Sequence, residues 1–291
     1  MASFYDQISA NKRNSYLLLA AVFALVFAMV YVFSYMLLES PELGFPLGVL
    51  LSAAYIAISY FMADRAILSI SGAREAQKGE FPYLVNVVGG LSIAAGIPMP
   101  KTYVVDDPAL NAFAVGTSPE KASVVFTTGL LQNLNRAELE GVAAHEISHI
   151  KNYDSRMATL VVVCIGLVAI LADLGARSLF LSRRRGSDRG GGGIIMLAGL
   201  AVLILAPIAA QLVRLALSRQ REYLADASGA QLTRYPEGLA CALEKIGKLG
   251  SRVKSSSDAT ASLYFANPLS SFQLLSTHPP MQERIKRLRE M

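Results

Sequence analysis

Two of the chain's three histidines, His145 and His149, stand four residues apart, and Glu146 directly follows the first. On an α-helix, positions i and i+4 lie one turn apart on the same face, so both imidazoles can reach a single ion. Glu146, one position further round, can address a water on that ion rather than the ion itself. Imidazole suits zinc, which takes four ligands and in catalytic sites leaves one position to water, so a third protein ligand is required. Two sources are open: His278, or an acidic residue on another helix. The run from Arg221 to Asp226 supplies Glu222 and Asp226, again at i and i+4. Asp226 can accept the N–H of a ligand histidine and fix its tautomer. This favours His145, His149 and Glu222 as the ligands of one Zn2+ per chain. The chemistry is then metal-assisted hydrolysis with Glu146 as the base.

The elements that must position these groups follow from the surrounding residues. Asn135 is placed to cap a helix, and Glu138, three residues on, can reach back to the cap's N–H. Leu139, Val142, Ala143 and Ile147 give that helix an apolar face. Residues 81–91 carry Leu84, Val87, Val88 and Leu91 at helical spacing. Residues 101–105 and 122–127 are short β-branched runs that predict strands. Further helices are expected near 214–232 and 236–249, with a serine-rich loop over 251–262. Strands are few and helices dominate, so the class is α+β.

Composition sets the compartment. Of 291 residues, 53 % are hydrophobic and 17 % charged, with a mean hydropathy of +0.41, where ordinary soluble domains carry about 25 % charged residues. Disorder is excluded by the same figures. The net charge of +5 is too mild for a nucleic-acid binder. Two cysteines, Cys164 and Cys241, exclude a disulfide-built secreted fold. Residues 16–38 are free of charge and long enough for a bilayer, too long and too poorly ended for a cleaved signal. A second span covers 43–63. Lys12, Arg13, Arg65 and Arg74 flank this hairpin, while its turn is acidic, so the flanks are expected in the cytoplasm. Apolar runs at 157–172 and 192–213 enclose a segment with Arg177, Arg183, Arg184, Arg185 and Arg189. They read as two spans or as a re-entrant hairpin. An even number of crossings is required, because His145 and Glu222 must meet on one side. The expected divisions are a transmembrane hairpin at 1–63, the first catalytic part at 64–156, the second hydrophobic hairpin at 157–213 and the second catalytic part at 214–291. A transporter is disfavoured, since the apolar runs carry essentially no charge.

The chain resembles the M48 family of membrane zinc metalloproteases and, within it, the HtpX heat-shock protease group, with a more distant likeness to the CaaX prenyl-protein protease. The likeness rests on the early hairpin, Ala-Gly-Ile-Pro at 95–98, Asn-Ala-Phe-Ala at 111–114 with Gly116, Thr-Thr-Gly-Leu-Leu at 127–131, the 145–149 motif, Glu222 with Asp226, and Thr-His-Pro-Pro at 277–280. Two departures are Tyr153, where glycine is common, and Val115, where threonine is; both bear on local loop geometry only. The resemblance implies a polytopic helical membrane protein with a mainly helical, zincin-like protease domain containing a small β-sheet. It implies His145, His149 and Glu222 as zinc ligands, Glu146 as general base, and His278 and Arg284 as stabilisers of the oxyanion. It also implies that Ala122, Ser123, Val124, Val125, Phe126 and Thr127 form an edge strand for extended peptides, with Asn111 shaping the cleft beside it. The implied substrates are unfolded or damaged membrane proteins, cut at a cytoplasm-facing site of the cell membrane in quality control and stress response. The competing reading is a zinc-binding membrane scaffold that no longer cuts. An intact Glu146 argues against it, because a structural site has no use for a base beside its ligand.

Overall fold

The computed structural model describes residues 4–38, 41–163, 166, 219–250, 253, 263–265 and 279–291. The chain divides into two compact units, one of residues 1–12, 63–159 and 214–291, the other of residues 13–62 and 160–213. His278 and most of the expected second hydrophobic hairpin, with its arginine-rich segment, lie outside the described residues.

The uncharged residues 16–38 belong to helix α1 (Phe4–Leu38), whose first turns carry Asp6, Lys12 and Arg13, and helix α2 spans Pro41–Ile70. The two helices contact within their unit through aromatic rings. Phe27 meets Phe45 edge-on at 5.4 Å, and a Cβ at Gly48 would approach the Phe27 ring to 3.0 Å. Among the described residues, the stretch Glu42–Ile70 is long and apolar enough to cross a bilayer.

The other unit is built around a four-stranded sheet. Strand β1 (Arg74–Glu75) and helix α3 (Pro82–Ala95) are followed by β2 (Lys101–Val105), β3 (Ala112–Val115) and β4 (Ser123–Thr127). The spatial order is β1-β2-β4-β3. β2 pairs parallel with β4, and β3 pairs antiparallel with it, Phe113 opposite Val125. The 122–127 run is therefore interior and wholly buried. The edges are β1 and β3, which corrects the expectation that the 122–127 strand is the edge. β3 turns into β4 through Gly116, whose φ of 142° suits only glycine. There a Cβ would fall 2.7 Å from Ala122 Cα.

Helix α4 (Thr128–Asn133) starts on the Thr127 side chain, which accepts from Leu130 N. Helix α5 (Arg136–Lys151) begins with the expected capping box. Asn135 Oδ1 accepts from Glu138 N at 3.0 Å, and Glu138 Oε2 accepts from Asn135 N at 2.8 Å. Residues 154–163 are again helical. Helices α6 (Arg219–Thr233), α7 (Pro236–Leu249) and α8 (Met281–Arg289) complete the unit. α5 runs through its middle, packed by α3, α6, α7 and β3. The core comprises Val124 and Phe126 of β4, Val142 and Ile147 of α5, and Leu239 and Leu243 of α7, all essentially inaccessible. At about 25 cal/mol per Å² of apolar surface removed from water, each large side chain there stabilises the fold by roughly 1.5–3 kcal/mol.

Candidate metal centre

α5 presents His145 and His149 on one face, their Nε2 atoms 3.0 Å apart. α6 brings Glu222 opposite them. Its Oε2 is 3.7 Å from His145 Nε2 and its Oε1 is 3.6 Å from His149 Nε2. One ligand atom from each of the three lies within 4.8 Å of the others, the grouping capable of holding a metal ion among the described residues. Close approach of α6 to α5 depends on Gly229, two turns beyond Glu222. A Cβ at Gly229 would stand 3.1 Å from His145 N.

Each imidazole is oriented from its far side. His145 Nδ1 lies 3.0 Å from Asp226 Oδ1, and His149 Nδ1 lies 3.1 Å from Asp154 Oδ2. Donation from each Nδ1–H to a carboxylate leaves both Nε2 lone pairs directed into the same small gap. Two lone pairs 3.0 Å apart repel, so the gap calls for a cation, either a proton or a metal ion. Imidazole nitrogens with a carboxylate oxygen form a zinc donor set, and the carboxylates behind them increase ligand basicity. The residues fit Zn2+. Without metal, burial lowers His145 to about 4, opposed only in part by Asp226. Burial acts the same way on His149, but Asp154 and Glu222 outweigh it and raise that ring to about 9.

Glu146 is 2 % exposed. Burial raises its carboxyl to about 7, with His149 opposing and Glu222 reinforcing, and the Ala114 backbone amide bonds to it. Glu146 is not one of the three converging ligands. Ala114 belongs to β3, so the edge strand and the buried carboxylate are tied directly together.

Arg284, expected at the oxyanion, is 1 % exposed and forks onto Asp226. Its Nε donates to Oδ2 at 2.8 Å and its Nη2 to Oδ1 at 2.7 Å. Its Nη1 lies 3.5 Å from Glu222 Oε2. Burial raises the Asp226 carboxyl, but Arg284 and His145 more than offset this and hold it below its ordinary value. The Phe265 ring is edge-on to His145 at 4.9 Å, and the Arg284 guanidinium lies over that same ring at 4.9 Å. Asn111 is fully buried at the start of β3. Its N donates to Thr127 Oγ1 and its O accepts from Thr127 N, both at 3.0 Å. Sequence reasoning missed the partnership of Asp154 with His149 and the aromatic wall at Phe265. A carboxylate five positions after the last ligand is the signal for the first, and nothing local marks the second.

A helix carrying two imidazoles and a buried carboxylate, completed by a carboxylate from a second helix, defines a zinc metallohydrolase. The model of Peptidase family M48 matches residues 78–291. The protein named "Protease HtpX homolog" of Dictyoglomus turgidum is 52 % identical over 294 residues, covering 99 % of this chain and 95 % of that one. The protein of the same name from Streptococcus uberis is 43 % identical over 295 residues, covering 99 % of each chain. The crystal structure of S. mikatae Ste24p superposes with a TM-score of 0.50 at 19 % identity, over 97 % of this chain and 66 % of that one, a likeness of fold alone. The chain belongs to peptidase family M48 and, with its His145, His149 and Glu222 triad, is a zinc-dependent endopeptidase.

Proposed function

We propose that this membrane zinc endopeptidase cuts unfolded or misassembled membrane proteins from the cytoplasmic side, as part of quality control under stress, with Glu146 as its general base. The observation that carries the reading is the convergence of His145, His149 and Glu222 beside a buried Glu146 that bonds the Ala114 amide of edge strand β3. When bound, zinc supplies Lewis acidity toward a carbonyl and toward water, whose pKa at such sites falls to about 7. Glu146, buried and not among the three converging ligands, is placed to take a proton from water and pass it to the leaving amine. A sheet edge can bind an extended chain through its backbone with little regard to side chains, and β3 is the edge strand tied to Glu146. That edge already accepts extended backbone: Phe113 forms an antiparallel bridge with Tyr264, and Phe265 N donates to Ala112 O at 2.8 Å. Asn111 and the 122–127 strand support the cleft from behind β3. His278 is assigned to the oxyanion by its resemblance to the family's position.

The test compares zinc-loaded protein in detergent with its Glu146→Gln variant on an unfolded soluble protein and on a misfolded transmembrane reporter. The reporter should be cut faster, and Glu146→Gln should cut neither. Equal rates on both substrates would remove the membrane-protein preference. Sidedness is read with an impermeant thiol reagent on single-cysteine variants lacking Cys164 and Cys241. A cysteine at Ser40 should label in intact cells, one at Ser251 only after permeabilisation, and one at Ser187 reports whether the second hairpin crosses. External labelling at Ser251 would overturn the cytoplasmic assignment.

A further inference from the structure

The carboxylate behind His149 directly follows the C-terminal turn of α5. Asp154 follows Tyr153, whose φ of 62° is left-handed and unusual for an aromatic residue. Tyr153 is the residue after the Asn152 cap of α5, where helices commonly end left-handed, and its N donates to Ile150 O at 3.1 Å. Contacts from the start of α1 surround it. The buried Asn11 side chain donates through Nδ2 to Asn152 O at 3.0 Å and to Asp154 Oδ1 at 2.7 Å. The next residue, Lys12, places its Nζ 4.2 Å from the centroid of the Tyr153 ring. On the other side, Arg221 Nη1 donates to Asn11 Oδ1 at 3.5 Å, and Arg221 Nε is 3.7 Å from Asp154 Oδ1. Arg221 directly precedes the ligand Glu222.

We propose that Asn11 is a positioning residue of the zinc site: by fixing the 152–154 turn and one oxygen of Asp154, it aims the other oxygen at His149 Nδ1 and so orients the ligand ring. The geometry is economical. Asp154 has two oxygens with separate duties, Oδ1 held by Asn11 and Oδ2 facing His149 at 3.1 Å. An amide is suited to the task, since its NH2 donates to the carbonyl and the carboxylate while its oxygen faces a guanidinium. Arg221 pairs with that same Oδ1 through Nε at 3.7 Å, so the amide and the guanidinium hold one oxygen together. Lys12 over Tyr153 acts on the same turn through the ring. The segment that begins α1 is thereby part of the site that α5 and α6 form, although no ligand lies within a hundred residues of it in sequence.

The proposal rests on the zinc assignment, and its test reads metal affinity rather than cleavage. Full-length protein in detergent is stripped, and zinc binding is measured by competition with a chelating dye for wild type, Asn11→Ala, Asp154→Ala and the double variant. Loss of a group that orients a metal ligand typically costs 10- to 100-fold in affinity, and Asn11→Ala should fall near the lower end. In the Asp154→Ala background the same change should cost nothing further, because Asn11 acts through Asp154. A merely structural asparagine would give costs that add, or no loss of affinity at all, and either result overturns the proposal. Cobalt-loaded samples give a second readout, a visible spectrum altered alike in both single variants. If Asn11→Ala does not fold, Asn11→Ser, shorter but still a donor, enters the same cycle with the same two outcomes. A wild type that binds no zinc would instead remove the metal assignment itself, so the two failures are distinguishable.

Discussion

Arg284 grips Asp226 through two parallel hydrogen bonds of 2.8 and 2.7 Å, and the Asp226 oxygen that accepts the shorter one also faces His145 Nδ1 at 3.0 Å. The guanidinium thus fixes a carboxylate that fixes a ligand. Arg284→Ala leaves a buried carboxylate without its cation, a change that typically destabilises by about 3 kcal/mol or more. The expected outcome is a lower thermal midpoint and weaker zinc binding. Arg284→Lys keeps the charge but loses the fork, and should be intermediate in both. A lysine variant with wild-type stability and zinc affinity but lost turnover would place the residue at the oxyanion instead.

Glu146→Gln should retain full zinc stoichiometry while cleavage falls by a factor of 10² to 10⁴, the usual cost of losing a general base. Metal content and rate are measured on the same preparation. Loss of zinc from a folded variant would make Glu146 a ligand.

Glu222→Ala should lose zinc outright, and Asp226→Ala should lose roughly 10- to 100-fold in affinity. Titration of the two stripped variants gives the order. The reverse order would exchange their roles.

Gly229→Ala sets a Cβ 3.1 Å from His145 N and should push α6, with Glu222, away from α5. Overpacking of this kind costs about 1–3 kcal/mol, so zinc affinity should fall by roughly ten-fold. Wild-type affinity would mean that α5 yields locally without moving the ligands.

Metal removal should lower stability in proportion to saturation. Free zinc at a thousand times its dissociation constant stabilises a one-site protein by about 4 kcal/mol. A chelator should therefore depress the midpoint of wild type and leave that of Glu222→Ala unchanged.

What could be read from sequence was what local chemistry fixes. Asn135 and Glu138 announced α5, and the four-residue spacing of His145 and His149 placed two ligands on one of its faces. Strand β3 escapes a reading from sequence because Ala112, Phe113, Ala114 and Val115 are all buried, so no polar alternation marks them, and it is the family resemblance that points to the 122–127 run as the edge. Arg284 and Asp226 are 58 positions apart, and no periodicity links residues on separate helices. Asn11 lies just before a long apolar stretch, where an amide reads as a helix-flanking polar residue. Its partner turn depends on a left-handed Tyr153, and side-chain type does not encode that conformation.

The division of the ligands between α5 and α6 also imposes an order in time. A ribosome adding roughly 5–20 residues per second releases His145 and His149 several seconds before Glu222, and Arg284 later still. Until then the emerging polypeptide carries two imidazoles and the Glu146 carboxylate but neither the third ligand nor the guanidinium fork, so the metal triad stays incomplete through most of the chain's own synthesis. The residues between α5 and α6, 152 to 218, set that interval.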